Sequence, residues 1–250
     1  MNIINSTEFV LNRISYLVNH RLLIIVLSLS VLMVMNSCNC VPEISTPKII
    51  APDNYSNALL INAISDREIL SAESDEIPLL VKLSYSEPDY HYQKLNAGNS
   101  YLRLIDETSK MSLFNLPIEL EKFEYYSIVF FGFGNSVKAL IFKDILPNNS
   151  ESKSGLRFIN TVFDSDKFIF RLKQNSEQTD YNLSFRSYTD IIQQNTSTCV
   201  VEILNTSDGE VLLSQNINVA GGRIYNVILK GTLHTTANKP LTIEIAAADR

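Results

Sequence analysis

The acidic side chains offer the first chemistry to weigh. Asp66, Glu68, Glu73, Asp75 and Glu76 share one short segment, and Asp164 and Asp166 stand at the matching place further along. Carboxylate oxygens converging on a loop can hold calcium. Their spacing matches no EF-hand loop, however, and an Asp at a strand end commonly caps a turn with its own side chain. The expected state is a solvated acidic loop, and no metal ligand is assigned. Tyr85, Tyr90, Tyr92 and Tyr101 cluster in sequence, with Tyr181 and Tyr188 later. Exposed tyrosines can stack on sugar rings or anchor a protein partner, but tyrosine also fits a half-buried pleated surface. Beyond His20 the histidines are His91 and His234. They are too far apart in sequence to form a local pair, and His91 is expected at a strand surface. Gly132-Phe133-Gly134 joins one apolar strand-like run to another. That context favours a hairpin turn, because dinucleotide binding needs a helix N-terminus there. The chain contains no HExxH, CxxC, GxSxG or Walker motif. No catalytic or cofactor-binding residue and no cofactor is assigned.

One residue does carry an assigned chemistry. Arg13, His20 and Arg21 precede an apolar run at 22–35, and Asn36-Ser37-Cys38 follows it. Such a run is short for a bilayer span and suits a signal-peptide core. A small residue followed by Cys resembles the lipobox of bacterial lipoproteins, in which the Cys thiol takes a diacylglycerol and the preceding peptide is removed. Cys38 is therefore the expected lipidation site. An ordinary secretory signal or a short signal anchor is the alternative. Cys199, in an apolar strand-like run, is expected to be a small buried hydrophobe. The formal charge of the chain is −6, with no dense Lys/Arg cluster. This argues against nucleic acid as a partner, since phosphate binding needs a basic stripe.

The elements that position these residues are written twice. Residues 102–132 and 201–231 align without a gap at an offset of 99, with Leu113/Leu212, Ile118/Ile217, Tyr126/Tyr225 and Gly132/Gly231 identical. Upstream, at an offset of 98, Asn62 meets Asn160 and Asp66 meets Asp164. A period near 100 residues is a domain, not a solenoid unit. Each copy holds about seven short strand-like runs divided by turn residues, with almost no helical periodicity. The expected fold is all-β: two tandem immunoglobulin-like β-sandwiches, without the Cys…Trp…Cys signature of true immunoglobulin domains. The expected layout is a signal peptide at 1–37, a Pro-containing tether at 38–56, a first sandwich at 57–147, a polar linker at 148–154 and a second sandwich at 155–250. Residues 66–76 fit either a helical turn or an acidic loop.

The combination of an opening strand such as Leu156-Arg157-Phe158-Ile159-Asn160, an Ala-Gly element (Ala97-Gly98, Ala220-Gly221) and a closing strand at 125–132 and 224–231 resembles the bacterial domain-of-unknown-function 4397 family. The resemblance spans about residues 57–246. It implies secreted or lipid-anchored surface proteins and brings no catalytic residue. Neither Ser65-Asp66 nor Phe163-Asp164 includes the proline usual in that family after the opening strand. The expectation is a non-catalytic envelope lipoprotein, held at the outer membrane by its lipid, that binds a protein or glycan ligand. A structural subunit of a fimbria-like assembly is the alternative.

Overall fold

The computed structural model describes residues 53–74, 77–147, 151–165, 167–233 and 239–247. Cys38, the signal segment and most of the tether lie outside these residues, as do Asp75, Glu76, Asp166 and His234. The chain divides into residues 1–46 and a compact unit of residues 47–250, which holds every described residue.

The described residues form sixteen strands and no helix. In the first half these are β1 (Tyr55–Ile64), β2 (Ile69–Ser74), β3 (Ile77–Ser84), β4 (Gln93–Asn96), β5 (Gly98–Asp106), β6 (Ser112–Leu120), β7 (Tyr125–Gly132) and β8 (Lys138–Lys143). The second half runs β9 (Lys153–Asn160), β10 (Lys167–Gln174), β11 (Glu177–Ser184), β12 (Ile192–Asn195), β13 (Ser197–Asn205), β14 (Val211–Val219), β15 (Ile224–Lys230) and β16 (Thr242–Ala246). The sheet orders are β4-β1-β7-β8 and β3-β2-β5-β6, then β12-β9-β15-β16 and β11-β10-β13-β14. Each half thus repeats the other strand for strand, as a two-sheet sandwich. In both, the first strand pairs in parallel with the seventh, and the other pairings are antiparallel. One irregularity repeats as well, a register shift at Leu104/Ile105 and another at Ile203/Leu204.

Strand alternation explains both the cores and their arrangement. Successive side chains of a strand point to opposite faces. Ala58, Leu60 and Ile64 of β1 enter a core with Tyr126, Ile128 and Phe130 of β7 and with Leu70, Leu102 and Leu104 of the opposing sheet. Leu156, Phe158, Tyr225, Val227, Phe170 and Val201 build the same core in the second half. The opposite faces of β1 and β7 are also apolar. Leu59, Ile61, Ala63, Val129 and Phe131 pack with Ile159, Ile228 and Ala246 into a third cluster between the halves. The two sandwiches are therefore stacked four sheets deep, and β1, β7, β9 and β15 are buried on both faces. This is why their sequences read as nearly continuous apolar runs.

The residues that repeat in sequence perform the same task in each half. The buried Asn62 and Asn160 accept from the backbone N–H of Ile64 and Val162, each at 3.0 Å, and donate to the carbonyls of Leu83 (3.4 Å) and Leu183 (3.0 Å). They tie β1 to β3 and β9 to β11 across each sandwich. The Tyr126 and Tyr225 hydroxyls accept from the backbone N–H of Glu121 (3.0 Å) and Ala220 (2.8 Å). Gly132 and Gly231 adopt φ of 127° and 101°, and a Cβ at either would lie 2.2 Å from a carbonyl oxygen, of Ser136 or Pro240.

Two strands depart from the sequence reading. Residues 69–74 form a strand, β2, instead of a helical turn or loop. Its inward residues are Leu70, Ala72 and Ser74, so small side chains conceal the alternation. The polar edge strand β12 has no apolar alternation to reveal it.

Candidate functional site

Asp66, Glu73 and Asp164 serve structure. The Asp66 carboxylate accepts from the Gly134 N–H (3.0 Å) and pairs with Arg67 (2.7 Å), and Asp164 accepts from the Leu233 N–H at 3.0 Å. Both tie the loop after the first strand to the loop after the seventh. Glu73 pairs with Arg103 across β2 and β5. Among the described residues, no group of three His, Cys, Asp or Glu side chains could hold a metal ion. His91 is exposed and pairs with the exposed Asp89 at 2.8 Å. Cys199 is buried, and burial raises its thiol pKa. The tyrosines do not form one face. Tyr101 and Tyr188 are exposed, Tyr85 is buried, and Tyr92 packs edge-on against Tyr125 with ring centroids 4.9 Å apart.

Polar chemistry gathers instead between the sandwiches. Toward one end, Arg157 of β9 donates to Asp144 (3.0 Å) and to the side-chain oxygen of Asn226 (2.9 Å). Asn226 donates to the Ser127 hydroxyl (2.8 Å), which donates to Asp144 (2.7 Å). Tyr92 adds a hydrogen bond to Asp144 at 3.1 Å. Arg157, Asp144, Asn226 and Ser127 are all buried. This mutually satisfied network behaves as a fastener.

A second polar group lines a cleft of about 810 Å³ between the β3–β4 connection and β16. Buried Lys230, at the end of β15, pairs with buried Glu244 of β16 and donates to the Tyr85 carbonyl at 2.6 Å. Lys239 pairs with Glu68 at 2.7 Å. The two ammonium groups lie 3.8 Å and 3.7 Å from the centre of the Tyr85 ring. Burial, and next the charge of Lys239, bring the Lys230 ammonium down to about 7 against the pull of Glu68; the Glu244 carboxylate in contact also favours the charged form. Burial raises Glu68, but hydrogen bonds from Lys239 and Ser86 outweigh it and hold the carboxyl at about 2. Burial, followed by the charge of Glu68, pushes the Tyr85 hydroxyl far up, and burial does the same to Tyr90. Among the described residues, the Tyr85 and Tyr90 hydroxyls and Glu244 Oε1 are sealed from solvent without a hydrogen-bond partner.

Of these residues, the sequence pointed to Tyr85 and Tyr90 as members of the tyrosine cluster and to Glu68 as part of the acidic segment, and passed over Lys230, Lys239 and Glu244. A signal for Lys230 was available. At the repeat offset it stands where the first half has Phe131, a charge in place of an aromatic side chain in a strand that is otherwise duplicated. None of the protein-family models matches this chain, and no curated protein matches it.

Proposed function

We propose that the protein is a non-catalytic binding module of a bacterial cell envelope, tethered to the membrane by a lipid on Cys38. The observation that carries the binding reading is the cleft of about 810 Å³ between the sandwiches, lined by the charged pairs and by Pro88, Ile243 and Ile245. Rigid surroundings support it. The cleft is walled by β16 and the β3–β4 connection, on sheets packed face to face, and a preformed concave site loses little conformational freedom on binding. The charged groups beside it support binding over turnover. Lys230 is engaged by Glu244 and Lys239 by Glu68, whereas nucleophilic catalysis needs a nucleophile left beside a base. The tether rests on the apolar run at 22–35 and the Ser37-Cys38 junction, and the resemblance to domain-of-unknown-function 4397 agrees with an envelope location.

Metabolic labelling with a clickable fatty acid in a bacterial host tests the tether. The expected outcome is a labelled mature chain beginning at residue 38 and an unlabelled precursor from Cys38→Ala. Equal labelling of both chains, or a mature N-terminus elsewhere, would count against lipid attachment at this residue.

A further inference from the structure

We propose that the corner of the first sandwich carrying Tyr55, Lys94, Lys122 and Phe123 docks on the lipid headgroup surface of the membrane, with the Phe123 ring as its inserted side chain. The proposal rests on the tether at Cys38 and adds how the tethered unit stands on the bilayer. It starts from a difference between the duplicated halves. The turns before β7 and β15 share a backbone: the Phe123 N–H donates to the Tyr55 carbonyl at 2.8 Å, and the Gly222 N–H to the Lys153 carbonyl at 3.0 Å. Phe123 has a φ of 64° and Gly222 one of 76°. Glycine adopts such a conformation freely, whereas a bulky side chain there is strained. The first half therefore carries an aromatic ring where its fold favours glycine. That ring is 52% exposed, so its own burial does little to offset the strain. Strain retained under an exposed aromatic ring points to a contact made outside the chain.

The neighbours of Phe123 select the occupant. The Tyr55 ring meets it edge-on, with centroids 5.3 Å apart. The Lys94 ammonium lies 4.3 Å from the centre of the Tyr55 ring, and the Lys122 ammonium 5.0 Å from that of Phe123. Both lysines are exposed. The nearby carboxylates Glu121 and Glu124 are engaged by Lys143. At the corresponding places the second half has Lys153, Gln193, Gly221 and Gly222, so the rings belong to the first half alone. Aromatic rings beside lysines suit a bilayer interface, where the ring sits at headgroup depth and the ammonium reaches the phosphates. Place along the chain agrees. Tyr55 opens β1, and the chain from Cys38 to Tyr55 can extend no further than about 60 Å. This corner is the first part of the sandwich reached from the lipid. Met111, also exposed, lies at the opposite end of the β5–β6 pair, about 30 Å away.

The chain contains no Trp, so Phe123→Trp places a single fluorophore at this corner and Met111→Trp places one at the opposite end. Each full chain, expressed with its signal segment in a bacterial host, is reconstituted on vesicles of phosphatidylethanolamine and phosphatidylglycerol, with and without brominated acyl chains. The expected result is that brominated lipid quenches emission from position 123 at least about threefold more strongly than emission from position 111, since an inserted ring lies at the depth of the interface and the far end does not. Flotation of the vesicles reports the anchor separately. A chain that floats while position 123 is quenched no more than position 111 would overturn the docking and leave the anchor standing. A chain that does not float would overturn the anchor and the docking with it. Shielding of position 123 from aqueous iodide on the vesicles, without quenching by brominated lipid, would put a protein surface on the corner and overturn the membrane as its occupant.

Discussion

Lys110 and Phe123 adopt φ of 58° and 64°, at positions where the second half has Gly209 and Gly222 with φ of 75° and 76°. The duplicated turns therefore share a backbone but not the residue that fits it. A side chain in the left-handed region costs roughly 1–2 kcal/mol, part of which glycine forfeits through its freer unfolded chain. The two turns are otherwise alike. Lys110 N–H donates to the Asp106 carbonyl (2.7 Å), and Gly209 N–H to the Asn205 carbonyl (3.0 Å). Lys110→Gly should raise stability by about 0.5–1 kcal/mol, since the exposed pair with Glu107 that it loses contributes little. Gly209→Ala should lower it. Thermal melts of both variants check the pair of signs.

The elements show which parts of the sequence could be read and which could not. The identical Asn62 and Asn160 stood out in the sequence as a repeat, and their shared role is a tie from the first strand to the third. Asn160→Leu would strip partners from the Val162 N–H and the Leu183 carbonyl. The expected cost is about 2–4 kcal/mol, read from urea unfolding. Tyr126 and Tyr225 likewise stood out as identical in the repeat, and both lie in central strands. What stayed hidden was local and polar. β2 uses Ala72 and Ser74 where alternation is normally marked by larger side chains, and β12 is an edge strand in which Ile192 is followed only by Gln and Asn. The cleft was illegible for another reason. Lys230 and Glu244 lie on adjacent strands, but Glu68, Tyr85 and Tyr90 reach them only because one sandwich stacks on the other. No spacing within either copy encodes that meeting.

At the scale of the whole molecule, the third apolar cluster makes the two sandwiches one folding unit. Domains joined by a small polar contact move and melt separately, whereas a large buried apolar face couples them. Calorimetry should therefore record a single transition for the described unit. Ile228→Asp, which places a charge at a fully buried position between the halves, should split that transition or lower the unfolding temperature of both halves. Unchanged single-transition melting in that variant would show the cluster to be dispensable. The stacking has a further meaning in the bond between Ser127 and Asn226. These residues occupy the same place in their respective copies, 99 positions apart. A position that touches its own counterpart is what a self-complementary, isologous dimer interface requires. The geometry is that of two identical subunits facing one another across a twofold axis, with a peptide joining them. Lys230 in place of a second Phe131 is an asymmetry that two separate identical subunits could not show on one side alone.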